Sequence, residues 1–320
     1  MTALLGDSDC SLTVVSAFMS QINARSDRPI QKYIDLGKSL LRVNVRQIVF
    51  LERVIYDAHF SSKDNIYYVY GHFDYEGASF TYLVDGHITF VFFERSDMYL
   101  PAYRDLATNF SVNTPHPKKD TLDYMFVQCT KTEWVAMAIA LDKTLRITYE
   151  DKSSTVIPRT PTFSASRMPN SGVLTDGGCD GLYAWLDFGI RHMYPSDIAM
   201  ETAIYQLRDR LLTSNCWDRS LIYAPSCWDP AHANTYRQDV FRDVFWVFSG
   251  SAFGGSADAL LEFARRTKQK CICVLTTRRS LMWEVNVWYL VYRDCPELFS
   301  LFYGNHNAGI IQNWMIGCDA

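Results

Sequence analysis

Apolar and polar positions along the chain fall into blocks that predict strands and helices in turn. Leu12-Thr13-Val14-Val15-Ser16-Ala17-Phe18 is rich in β-branched residues and reads as a first strand. A polar loop runs from Gln21 to Pro29. Pro29 suits the first turn of a helix reaching about Leu41, with Ile30, Tyr33, Ile34, Gly37 and Leu41 near one face. Arg46 to Glu52 is a second strand that ends on an acid. Strand, helix, strand at this spacing is a βαβ unit, which implies a parallel pair joined by a right-handed crossover.

The pattern then changes. Ile66 to Tyr70 and Phe80 to Phe93 are aromatic and β-rich. Asp85-Gly86, between Thr81–Val84 and His87–Val91, marks a tight hairpin, so Asp85 is read as a turn residue rather than a metal ligand. The region 58–115 is expected to be a β-rich insertion or an extension of the sheet. Helical spacing returns from Asp120 to Leu141, through Leu122, Met125, Phe126, Cys129, Val135, Ala138 and Ile139. Residues 144–180 read as a long loop, because Pro158, Pro161 and Pro169 lie there among Ser and Thr.

Gly181-Leu182-Tyr183-Ala184-Trp185-Leu186-Asp187-Phe188-Gly189-Ile190 is a short apolar strand that stops on an acid and a glycine. A carboxylate at the C-terminal end of such a strand stands where open α/β sheets bind ligands. Asp187 can hold a divalent cation there, and through it a diphosphate. It can equally cap the next segment or pair with an Arg. Downstream, Ala199 to Leu212 reads as a helix, Ser220 to Tyr223 as a short strand and Asp243 to Phe248 as an aromatic strand. The glycine-rich run Ser249 to Ser256 then leads into a helix from Ala257 to Arg266. A strand, glycine-rich turn and helix in that order can offer backbone N–H groups to an anion, or be simply a tight turn.

Composition narrows the class. The chain has 320 residues, 48% of them hydrophobic, enough for a sizeable core. A net charge of −4 with no basic block argues against nucleic acid as the main partner. Nine scattered cysteines without a CxxC pair suit a reducing compartment, and Cys271 and Cys273 read as small buried thiols on alternate positions of an apolar run. Residues 1–10 lack the layout of a signal peptide, and no run approaches the length of a transmembrane span. A cytoplasmic protein is expected.

Several segments together carry a family resemblance. They are the opening TVVSAFMSQINARSDRPIQKYIDLGKSLL, KKDTLDYMFVQCTKTEWVAMAI, YAWLDFGI, AFGGSADALLEF and the closing WEVNVWYLVYRDCPELFSLFYGNHNAGIIQNW. In this order, from about residue 12 to 314, the chain resembles the HtrL/YibB-like glycosyltransferase family. The positions that match are Arg28 and Tyr33; Lys119, Asp120, Thr121, Tyr124 and Lys131; Trp185, Asp187 and Gly189; and Glu284, Pro296, Phe299, Tyr303, Gly304 and Asn313.

The resemblance implies one GT-A-like α/β domain over 1–320, with a mixed, mostly parallel sheet flanked by helices and a hairpin-containing insertion. It implies transfer of a sugar from a nucleotide-sugar donor to a glycan or other hydroxyl acceptor. Ser16, Ala17, Phe18, Arg25, Arg28, Lys131, Trp185, Gly254 and Gly255 become the donor-binding candidates, with Asp187 and Glu284 as catalytic candidates. Such enzymes often hold Mn²⁺ or Mg²⁺ with an Asp-x-Asp motif. Here Phe188 and Gly189 follow Asp187, so a single acid remains, and His306 is the candidate to complete a metal shell with it. Positive charge for the leaving diphosphate then comes from a metal or from Arg25, Arg28 and Lys131. Glu52, Glu284 and Asp187 are each candidates for the base of an inverting reaction. A catalytically silent nucleotide-sugar or carbohydrate binder on the same scaffold is the alternative.

Overall fold

The computed structural model describes residues 12–20, 29–61, 69–97, 100–112, 120–150, 181–213, 217–228 and 239–314. A mixed sheet of nine strands runs through them: β1 Leu12–Phe18, β2 Arg46–Leu51, β3 Val69–Tyr75, β4 Ala78–Asp85, β5 Ile88–Phe92, β6 Leu182–Leu186, β7 Ile222–Ser226, β8 Ala252–Ser256 and β9 Phe299–Tyr303. Their order across the sheet is β3-β4-β5-β2-β1-β6-β8-β7-β9. The helices are α1 Ile30–Leu41, α2 Arg53–His59, α3 Leu122–Cys129, α4 Lys131–Glu150, α5 Asp197–Thr213, α6 Ala257–Arg278, α7 Glu284–Asp294 and the short α8 Gly309–Gln312.

The centre of the sheet, β5-β2-β1-β6, is parallel throughout. Both flanks are antiparallel next to it, and β7 with β9 adds one further parallel pair. The expected excess of parallel pairing is therefore corrected to an even mixture. Helices cover both faces, so the central strands are buried on both sides and are mainly apolar, β6 without a break. In β6, Tyr183 and Trp185 join one core cluster with α4, α6 and α7, whereas Leu182, Ala184 and Leu186 join another with α5 and α8. This is the two-residue period of a strand.

The strands of region 58–115 continue the central sheet, since β5 pairs with β2 in parallel. The β4–β5 turn differs in detail from the expectation. Asp85 pairs with Ile88, leaving Gly86 and His87 as the loop, and Gly86 carries the positive φ of 59°. A two-residue hairpin with glycine first is the type II′ arrangement. The long loop expected from residue 144 starts later, because α4 continues to Glu150. The remainder of that loop, 151–180, lies outside the described residues.

The C-terminal third departs most from its sequence reading. Asp243 to Phe248 is not a strand. Its apolar side chains Phe245, Val247 and Phe248 enter the core from irregular backbone. The strand is instead Ala252–Ser256, the segment expected to be a glycine-rich turn. A Cβ at Gly254 would lie 2.4 Å from the Tyr183 carbonyl oxygen and 2.7 Å from Trp314, so only glycine lets β8 lie against β6 here. Ser256 then caps α6, its hydroxyl accepting from the Ala259 N–H at 3.2 Å. Cys271 and Cys273 lie within α6, the first buried and the second exposed, so the alternate-position reading was of the wrong period. No helix among the described residues is long and apolar enough to cross a membrane.

Candidate functional site

The chain builds outward from β1 through β2 on one side and then crosses back from β5 to β6 on the other, so the strand order reverses between β1 and β6. In open α/β sheets such a switch point opens a crevice at the carboxyl ends of the strands, where ligands bind. A cavity of about 520 Å³ occupies that place. Ala17, Phe18 and Met19 line it at the end of β1, and Asp187, Phe188 and Gly189 at the end of β6.

Three charged side chains from distant segments meet at its floor. Lys131 is the first residue of α4, set there by the break at Thr130 that ends α3. Glu284 is the first residue of α7. Lys131 Nζ lies 3.0 Å from Glu284 Oε1 and 3.1 Å from Asp187 Oδ1, and donates to the Gly250 carbonyl at 2.8 Å. Trp185 Nε1 donates to the same Asp187 oxygen at 2.9 Å. The Lys131 and Glu284 side chains are each only 4% exposed, whereas that of Asp187 is 35% exposed. Burial by itself lowers the Lys131 pKa, but the two carboxylates outweigh it and hold the ammonium above its ordinary value. Gly250 makes the approach possible, because a Cβ there would sit 2.2 Å from Glu284 Oε1.

Behind the floor, Trp134 and Trp185 stack at 5.7 Å between ring centroids, and Lys131 Nζ lies 6.0 Å from the Trp185 ring centre. One wall of the cavity is a chain of ring contacts: Tyr124 to Trp283 at 5.7 Å, Trp283 to Trp246 at 6.1 Å, and Trp246 to His306 at 4.9 Å. Trp283 is pinned by donating from Nε1 to Asp120 Oδ1 at 3.0 Å. Tyr33, from α1, lines the cavity as well. His306 holds a positive φ of 31°, a strained backbone for a residue with a side chain.

The chain matches no protein-family model, no curated protein and no solved structure.

Among the sequence-derived candidates, Ala17, Phe18, Lys131, Trp185, Asp187, Glu284 and His306 share this cavity. The alternative roles for Asp187 as a cap or an Arg partner give way to its contacts with Lys131 and Trp185. Ser16 is buried in β1 and is not among the lining residues. Gly254 and Gly255 are in β8 and serve strand packing, so the anion-binding turn expected of them is corrected. Glu52 is buried and accepts from the Ser20 N–H at 2.7 Å, outside the lining of the cavity. Arg25, Arg28 and Lys119 lie outside the described residues.

The donor set does not suit a divalent ion as it stands. Asp187 Oδ1 is already held by an ammonium, which repels a second cation, and no group of three His, Cys, Asp or Glu converges among the described residues. Sequence reasoning missed Trp246, which also lines the cavity, as do Gly250 and Ser251 from the glycine-rich run Ser249 to Ser256. The aromatic run around Trp246 was the one available signal, and it was read as a strand.

Proposed function

We propose that this protein is a nucleotide-sugar-dependent glycosyltransferase on a GT-A-like scaffold, acting on a glycan or other hydroxyl acceptor. The observation that carries the reading is the position of Asp187. It is a partly exposed carboxylate at the C-terminal end of β6, at the switch point of the sheet, held by Lys131 and Trp185 in a cavity walled by aromatic rings. A cavity of about 520 Å³ is in the size range of small-molecule sites. Flat rings suit a nucleobase or the apolar face of a sugar, and a fixed carboxylate suits proton removal from an attacking hydroxyl or a bond to a sugar hydroxyl. The resemblance of the YAWLDFGI and TKTEW segments to the HtrL/YibB-like family adds to this reading, since those segments supply Asp187 and Lys131.

In this reading Lys131 and Glu284 position Asp187. Charge for the diphosphate falls to Arg25 and Arg28, or to a metal that displaces Lys131 from Asp187. Turnover of a nucleotide-sugar panel, with and without Mn²⁺, tests it on the wild type and Asp187→Asn. Nucleoside diphosphate release by the wild type and its loss in the variant are expected. Binding of a nucleotide-sugar without release, across a broad acceptor panel, would favour the silent binder instead. No binding of any member would remove both.

A further inference from the structure

We infer that the floor of the cavity is a subsite for an uncharged, hydroxyl-bearing ring, and that it rejects anions. This rests on the reading of the cavity as a nucleotide-sugar site, and it assigns the sugar to the floor and the diphosphate elsewhere.

A lysine ammonium has three protons to donate and no lone pair. Lys131 donates to the Gly250 carbonyl at 2.8 Å and to Glu284 Oε1 at 3.0 Å, and its Nζ lies 3.1 Å from Asp187 Oδ1. Ion-paired with two carboxylates and only 4% exposed, it has little to offer a phosphate oxygen. The floor instead offers acceptors. Asp187 Oδ1 is occupied by Lys131 and Trp185, which leaves Oδ2 for a ligand. Glu284 also lines the cavity, but its Oε2 is buried, without a hydrogen-bond partner among the described residues, so the acceptor within reach of a ligand is Asp187 Oδ2.

With both carboxylates ionised, two negative charges face one positive charge among the described residues. In a partly enclosed site that surplus is screened less than in water. An anion reaching the floor meets like charge and gains no donor from Lys131, while losing its own hydration. A sugar hydroxyl is a donor and meets neither penalty. Its ring also has an apolar face to lay against Trp246 or Trp283.

Ligand-observed NMR with free neutral hexoses and the matching uronates, on the wild type and Asp187→Asn, tests the inference. Neutral sugars should bind the wild type, with uronates at least about ten-fold weaker, the scale of one charge-assisted hydrogen bond. Asp187→Asn removes one charge and puts an amide able to donate in its place, so the gap should shrink to about three-fold or less. Uronates that bind the wild type as well as neutral sugars would overturn the inference, as would no binding of any neutral sugar. Both outcomes are read on the wild type, whatever the variant does. A parallel titration with nucleoside diphosphates separates the two readings. Sugar discrimination without nucleoside diphosphate binding would keep the subsite and sink the donor assignment. Nucleoside diphosphate binding without sugar discrimination would do the reverse.

Discussion

Helix α4 carries buried charges into networks toward both ends of the sheet, and the two at its Lys131 and Asp142 positions are built differently. Near its start, Lys131 faces Glu284 and Asp187 at the carboxyl ends of β1 and β6. Farther along, Asp142 is fully buried, pairs with Arg46 at the start of β2, and accepts from the Tyr183 hydroxyl at 2.7 Å. The second network pairs Asp142 with Arg46 and ties β2, α4 and β6 together. The first sets two carboxylates around one ammonium among the described residues, opens on a cavity and leaves Asp187 partly exposed. Buried ion pairs are poor evidence of function, because structural ties use them too. A partly exposed carboxylate opening on a cavity is what separates a candidate site from a tie.

Breaking the first network should have the larger effect on stability. Lys131→Met leaves the buried Glu284 carboxylate and its neighbour uncompensated, and should cost about 3–5 kcal/mol in urea unfolding. A loss under about 1 kcal/mol would mean that Lys131 compensates nothing. The same change predicts a pH signature. Because folding raises the Lys131 pKa, its contribution is complete below the ordinary lysine value of 10.5 and is lost as pH rises through the higher folded value. The stability difference between wild type and Lys131→Met should therefore be constant up to about pH 10 and narrow above it. A difference that widens with alkaline pH would contradict the assignment.

The second network should be costly but functionally quiet. Arg46→Met removes the guanidinium paired with the buried Asp142, and should cost about 2–3 kcal/mol. Ligand binding and any turnover at a temperature where the variant is folded should stay within about two-fold of wild type, since Arg46 is remote from the cavity lining. A ten-fold loss would join the two networks into one functional unit and dissolve the comparison.

The two networks were also unequally legible in the sequence. The ends of β1 and β6 were readable because each is a short apolar run with a clear stop, and Asp187 stands at such a stop. Lys131 and Glu284 are 153 residues apart, and no local pattern shows that they meet. Helix starts merely carry them there. Around β8 the local signal misled, because glycine is a poor strand former. Gly254 is needed for the closeness of the Tyr183 carbonyl on the next strand, a fact that periodicity does not carry. The run from Asp243 to Phe248 was read as a strand because it is apolar and aromatic, yet burial there is met without pairing.

A smaller effect is expected at Gly250. Gly250→Ala would place a Cβ 2.2 Å from Glu284 Oε1, so the carboxylate must move away from Lys131. Overpacking of this kind should cost about 1–3 kcal/mol. It should lower neutral-sugar affinity while leaving the Arg46–Asp142 tie intact. Thermal unfolding together with the sugar titration would show whether the floor is disturbed alone. Unchanged unfolding and unchanged binding would mean that the Glu284 position is not set by the glycine.

The smallest change in stability, with the largest change in activity, is expected for Asp187→Asn. The side-chain carbonyl of asparagine can still accept from Trp185 Nε1 and Lys131 Nζ, so both contacts survive in shape. Asp187 is partly exposed, and its removal as a charge eases the surplus at the floor. Unfolding should therefore shift by less than about 1 kcal/mol in either direction. The remaining side-chain atom changes from an acceptor to a donor, which removes a base from the cavity. If Asp187 takes the proton of the attacking hydroxyl, turnover should fall by about 10²–10⁴-fold. Stability loss of about 3 kcal/mol with activity retained would be the opposite pattern. It would make the Lys131 network a structural tie of the same kind as Arg46 with Asp142, and the cavity would need another chemical centre.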